Sequence, residues 1–149
     1  MYQLEITHNA EAAHRFFQAS ASPKCRSIHG HRWMITLMLR SEKLDDQGMV
    51  VEFGHLKRIW RSWLDAHLDH ALMLNQADPM AAAIREIEPG SRLFLMSADP
   101  TTENIAQLLY EQAQLIVTAL DCPSPVQVVG VRVEETQVNA VNYVNSPEG

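Results

Sequence analysis

Apolar and polar residues alternate with a period of two at both ends of the chain and recur with a helical period in between. Tyr2, Leu4 and Ile6 alternate with Gln3 and Glu5, which predicts a strand over Tyr2 to Thr7 that continues through "EAAHRF", with His14 late in it or just beyond. The run "IHGHRWMITLML", residues 28 to 39, is rich in β-branched and aromatic residues, and strand geometry places His29, His31, Trp33, Ile35 and Leu37 on one face. After the polar stretch "RSEKLDDQG" the period changes. Phe53, Leu56, Trp60, Trp63, Leu64 and Leu68 fall at helical spacing, predicting an amphipathic helix from about Gly54 to Ala66.

Residues 75 to 92, bracketed by Pro79 and Pro89, read as an insertion carrying one short helix. A second long helix begins near "DPTTEN", where Thr101 or Asp99 can cap exposed amides and Glu103 suits the positive end of the helix dipole. Ile105, Leu108, Leu109 and Ile116 form its apolar stripe. In "PVQVVGVRVEETQVNAVNYV" alternation returns, with Val129, Val131, Val133 and Glu135 on one face, a turn near Glu135 to Asn139, and a last strand. Strands at both ends with helices between them predict an α+β fold whose antiparallel sheet carries the helices on one face. The 149 residues show no repeat or linker, and a single domain over 1–149 is expected.

Composition narrows the function classes. Apolar residues make up 46% and charged residues 20%, which is globular and not disordered composition. The net charge of −6 lacks the electrostatic footprint of a generic nucleic-acid or anionic-membrane binder. No stretch approaches the ~20 apolar residues of a membrane span, and "MYQLEITHNAE" lacks the features of a signal peptide, so a cytoplasmic location is expected. Two cysteines, Cys25 and Cys122, are too few for a disulfide framework and are read as free thiols, Cys122 as a small buried hydrophobe.

The segment "KCRSIHGHRW", residues 24 to 33, concentrates a thiol, two imidazoles and three cations in an acidic chain. His29 and His31 on one strand face can share a tetrahedral ion, although paired histidines are also common on surfaces. His14 is the third candidate, because two early strands that pair can bring it beside them. Three imidazoles leave an open position, as in a catalytic zinc site. Cys25 is then either a fourth, structural ligand or a thiolate base or nucleophile favoured by Lys24 and Arg26. Asp69 precedes His70, where a carboxylate can orient an imidazole or the two can be unrelated surface residues. Glu135 is either a solvated strand end or a carboxylate that accepts two parallel N–H bonds from a guanidine-like heterocycle. His8, His55 and His67 read as surface or helix-face residues.

Six segments in order, "EAAHR" (11–15), "KCRSIHGH" (24–31), "GMVVEFGHLK" (48–57), "LDHALMLN" (68–75), "DPTTENIA" (99–106) and "VRVEET" (131–136), resemble the 6-pyruvoyl-tetrahydropterin synthase and 6-carboxy-tetrahydropterin synthase family. The resemblance implies the tunnelling fold (T-fold), with ββααββ order, a four-stranded antiparallel sheet and two helices on one face. Such protomers commonly form a hexamer of two trimers with sites between subunits. It implies zinc on His14, His29 and His31, Cys25 as catalytic thiol with Asp69 and His70 as acid–base partners, and Glu135 as pterin anchor. Thr101, Thr102 and Glu103 would lie around the substrate. The Cys-x3-His-Gly-His spacing is similar to the bacterial 6-carboxy enzymes of queuosine and 7-deazaguanine synthesis, which cleave 7,8-dihydroneopterin triphosphate to 6-carboxy-5,6,7,8-tetrahydropterin, acetaldehyde and triphosphate. A 6-pyruvoyl-forming enzyme and a non-catalytic zinc-stabilised domain are the alternatives. Lys24, Arg26, Arg32 and Arg15 are the cations that could meet the triphosphate. Glu52 stands where the family often has Asp, and the 75 to 92 segment is absent from its shortest members.

Overall fold

A computed structural model describes residues 1–18, 20–122 and 125–146. Strands β1 (Tyr2–His14) and β2 (His29–Ser41) flank a four-residue helix α1 (Pro23–Arg26), and helix α2 (Phe53–His67) follows. Then come β3 (Leu72–Asn75), α3 (Pro79–Ile87), β4 (Leu93–Met96), α4 (Thr102–Ala119), β5 (Gln127–Glu134) and β6 (Ala140–Val144). The helix starts are fixed by side-chain caps. Glu52 accepts the Gly54 and His55 amides at α2, which gives this residue a local role that an Asp also serves. Thr101, rather than Asp99, caps α4 by accepting the Asn104 amide, and Asp78 caps α3 with proline at the first helical position.

The core is the apolar face of the sheet with α2 and α4 laid on it. Ile6 and Ala10 of β1, Trp33 to Leu39 at alternate positions of β2, and Val131 and Val133 of β5 pack with Leu56, Trp60 and Leu64 of α2 and Ile105, Leu109 and Ala113 of α4. Leu108 of the expected stripe is only half-buried. β1 and β2 pair antiparallel over their full lengths, from Tyr2 opposite Ser41 to His14 opposite His29. The outer face is polar: Thr7 bonds Thr36 between hydroxyls, and Arg32 bonds Glu11. No helix among the described residues is long and apolar enough to cross a membrane.

The sheet has six strands in the order β4-β3-β1-β2-β5-β6 and is mixed, which corrects the expected four-stranded antiparallel sheet. β3 pairs parallel with both β1 and β4, so the short helix expected in the 75 to 92 segment is the crossover of a β-α-β unit. Its strands, "LMLN" and "LFLM", are four-residue apolar runs without alternation, and periodicity cannot tell such runs from helix or loop. A second correction concerns Val129. The pairing shifts between Met38 opposite Gly130 and Leu39 opposite Val128, so the extra residue of this bulge puts Val128 in the core and leaves Val129 half-buried. A Cβ at Gly130 would overlap the Tyr143 carbonyl of β6, so glycine is needed where the two backbones approach.

The β-α-β unit is tied to the rest of the sheet by an ion pair. Asp78, whose side chain is fully buried, accepts Arg15 Nε at 2.7 Å and a terminal guanidinium nitrogen at 2.8 Å. Burial pushes the Asp78 carboxyl up, but the Arg15 guanidinium and the Met80 amide outweigh it and hold the group below its ordinary value. Its stabilising contribution is therefore complete above a pH of about 4 and is lost as the pH falls through the lowered value. Asp78→Ala, which leaves Arg15 unpaired, is expected to cost about 3 kcal/mol in a denaturant melt at neutral pH. A loss within experimental error would mean the pair does not join the unit to the sheet.

Candidate active site

The last rung of the β1–β2 ladder builds the centre of the site. His14 and His29 face each other across it and His31 lies one period along the same face, so strand geometry alone converges three imidazoles. One ring nitrogen from each lies within 4.8 Å of the other two. His14 Nδ1 is 2.8 Å from the Pro100 carbonyl and His29 Nδ1 is 2.7 Å from the Ser27 carbonyl. A carbonyl only accepts, so both Nδ1 atoms carry the proton and both Nε2 atoms present lone pairs. Those two Nε2 atoms are 3.1 Å apart. Burial holds His14 and His31 below the ordinary histidine pKa, which favours neutral rings. Nε2 of His31 is buried without a hydrogen-bond partner. Lone pairs converging in a half-buried setting need a cation, and the three-histidine group can hold a metal ion.

The floor of the group is aromatic. Trp33 sits edge-on to His14 at 5.0 Å and to His31 at 5.3 Å, with its indole N–H donated to the Ala12 carbonyl. Cys25, half-buried on α1, lies outside the set of converging ligand atoms, which counts against a closed four-ligand site. The Cys25 carbonyl accepts the Phe16 amide at 2.8 Å, tying α1 to the segment just after His14.

Asp69 and His70 form a pair: Asp69 Oδ2 is 2.9 Å from His70 Nδ1, while Oδ1 accepts the Glu11 amide at 2.9 Å. The Glu11 amide, with His70 behind it, holds the Asp69 carboxyl below its ordinary value, so it is an anion at neutral pH. His70 is exposed and lines a hollow of about 440 Å³ together with His31, Gly30 and Arg32. On another side, Glu135, Thr101, Thr102 and Glu103 line a second hollow of about 440 Å³ with Phe16 and Asn139. Thr102 donates its hydroxyl to Glu135 Oε2 at 2.8 Å, and Glu135 Oε1 lies 3.7 Å from His31 Nε2. The carboxylate is thus fixed beside the histidines with lone pairs left for a ligand.

A family model described as 6-pyruvoyl tetrahydropterin synthase matches residues 3–146. The chain belongs to this family. A 6-carboxy-5,6,7,8-tetrahydropterin synthase of Rickettsia bellii is 34% identical over 96 residues, 64% of this chain and 68% of that protein. One from Aquifex aeolicus is 23% identical and spans 95% of this chain and 97% of its own length. Among solved structures, an uncharacterized protein of Wolinella succinogenes superposes with a TM-score of 0.80 at 22% identity, covering 97% of this chain and 98% of the other. The 6-pyruvoyl tetrahydropterin synthase of Caenorhabditis elegans gives 0.69 at 23% identity, covering 97% and 96%. At these identities the structural likeness bears on the fold, which is the α+β tunnelling fold of the family.

Within this family member, several supporting groups carry no signal in sequence. The carbonyls of Pro100 and Ser27 set the imidazole tautomers, and a main-chain oxygen is invisible to residue-type reasoning. Pro100 is in turn held through Asp99, whose carboxylate accepts Asn75 Nδ2 at 3.2 Å and the Gln18 amide at 3.3 Å. The candidate cations divide. Arg15 is committed to Asp78 and so is withdrawn as an anion ligand, and Arg32 is paired with Glu11 at 2.6 Å. Lys24 and Arg26 are exposed on α1. His8 faces α2 with its Nε2 buried and unpartnered, rather than lying on the surface. His67 stacks on Trp63 at 4.5 Å.

The metal-free protein should take up one divalent ion per chain in a calorimetric titration. Removing one of the three converging imidazoles with His29→Ala should weaken uptake by more than about 100-fold, beyond the usual effect of an outer-shell change. Cys25→Ala should leave uptake unchanged, and loss of the ion in that variant would contradict the three-histidine assignment.

Proposed function

We propose that the protein is a zinc-dependent lyase that converts 7,8-dihydroneopterin triphosphate and one water to 6-carboxy-5,6,7,8-tetrahydropterin, acetaldehyde and triphosphate, a step towards queuosine and other 7-deazaguanines. The observation that carries this reading is the convergence of the His14–His29–His31 group, the Thr102-held Glu135 and the Asp69–His70 pair at one end of the sheet. The relatives named 6-carboxy-5,6,7,8-tetrahydropterin synthase support the product assignment over a 6-pyruvoyl product. The reading places the enzyme in the cytoplasm as a single T-fold domain over 1–149, assembled into a hexamer that completes the open hollows between subunits.

In this reading His14, His29 and His31 hold zinc through Nε2, with Pro100 and Ser27 keeping two of the rings in the metal-binding tautomer. When bound, zinc supplies Lewis-acid polarisation of the substrate's side-chain oxygens. Glu135 receives two parallel N–H bonds from the guanidine-like edge of the pterin, oriented by Thr102, with Thr101 and Glu103 on the walls of the same hollow. Cys25 takes the first proton from the side chain as thiolate. His70, whose Nδ1–H is directed at the Asp69 carboxylate, exchanges the second proton at Nε2. Lys24 and Arg26 are left as the cations for the triphosphate.

The test is to incubate the zinc-loaded protein with 7,8-dihydroneopterin triphosphate, identify the pterin by mass and assay acetaldehyde. Acetaldehyde with the 6-carboxy product is expected, and Cys25→Ala should lower turnover by about 10²- to 10⁴-fold with zinc retained. A 6-pyruvoyl product without acetaldehyde would replace the proposed reaction by its alternative. No turnover, together with unfolding on chelation, would favour a structural zinc domain.

A further inference from the structure

His70 has a backbone φ of 60°, and among the described residues no other non-glycine residue has positive φ. A histidine in the left-handed region is strained and persists only where its surroundings over-determine it. The peptide joining Asp69 to His70 is held at both ends. Its N–H donates to the Glu11 carbonyl at 2.6 Å. Its carbonyl oxygen accepts two bonds from Arg92, from Nε at 3.2 Å and from a terminal nitrogen at 2.9 Å. The same terminal nitrogen reaches the Asp65 carbonyl at 2.6 Å, near the end of α2. With that peptide plane fixed, rotation about the following N–Cα bond is what aims the imidazole.

Arg92 is itself anchored. It lies between α3 and β4, and its carbonyl accepts the Leu72 amide at 2.8 Å, so its backbone is registered against β3. All three of its side-chain hydrogen bonds go to main-chain carbonyls, which is a clamp on backbone rather than a surface ion pair. We propose that Arg92 is a positioning residue for His70: it pins the Asp69–His70 peptide so that the strained histidine presents its ring to the hollow shared with His31. The β-α-β unit thereby gains a catalytic purpose, bracing the turn that carries the acid–base group. This proposal rests on the reading of His70 as that group.

The experiment is a double-mutant cycle on the zinc-loaded enzyme with 7,8-dihydroneopterin triphosphate, using Arg92→Ala and Arg92→Lys in wild-type and His70→Ala backgrounds. Arg92→Ala should lower kcat by about 10- to 100-fold, with KM and zinc content little changed, as misplacement of a catalytic group does. Arg92→Lys, with a single nitrogen in place of the fork, should recover part of the loss. In the His70→Ala background Arg92→Ala should add no further loss, because the group it positions is gone. Equal losses in both backgrounds, or wild-type turnover of Arg92→Ala beside an impaired His70→Ala, would overturn the positioning role alone. Full activity of His70→Ala would overturn the acid–base assignment on which it rests.

Discussion

The register of β1 against β2 is the constraint on which the rest of the site depends. In a ladder with one buried face, a slip of one residue turns every side chain to the opposite face. Here Ile6 lies opposite Leu37 and Ala10 opposite Trp33 within the core, and the same parity carries on to His31, His14 and His29 at the open end. The apolar packing under α2 and α4 thus fixes the alignment of the imidazoles. The apolar core and the three-imidazole group that can hold a metal ion share one face of one ladder.

A converging set of imidazoles is useful only if the rings are held in one tautomer. Two main-chain carbonyls do this from separate parts of the chain, Ser27 just before β2 and Pro100 just before α4. The start of α4 therefore serves the site twice, through the Pro100 carbonyl to His14 and through the Thr102 hydroxyl to Glu135. Asp99 links the same turn to Asn75 at the end of β3, and Asp78 links the start of α3 to Arg15 beside His14. The β-α-β unit is consequently bonded both to Arg15, just past the end of β1, and, through Arg92, to the His70 turn.

Much of this was legible in the sequence because side-chain type and period carry it. The His-x-His pair on a strand, the late position of His14, the apolar stripes of α2 and α4 and the Thr101 cap of α4 follow from local pattern. Two features were not. The strands "LMLN" and "LFLM" are too short and too uniformly apolar to reveal their period, so a mixed six-stranded sheet read as four antiparallel strands with an insertion. The bulge at Val129 adds one residue that straight counting cannot see, yet Glu135 still reaches His31. Arg15 illustrates the limit for charges: beside a metal ligand it looked like an anion contact, and the fold spends it on a buried carboxylate 63 positions away.

The central claim is an open three-imidazole site with the thiol of Cys25 held off the metal. Zinc-edge X-ray absorption on the loaded protein tests it most directly. The account predicts nitrogen scatterers at about 2.0–2.1 Å with imidazole multiple scattering from three rings, a light atom in the remaining position, and no sulfur. A sulfur shell at about 2.3 Å would contradict it, because Cys25 would then be a ligand and the site closed.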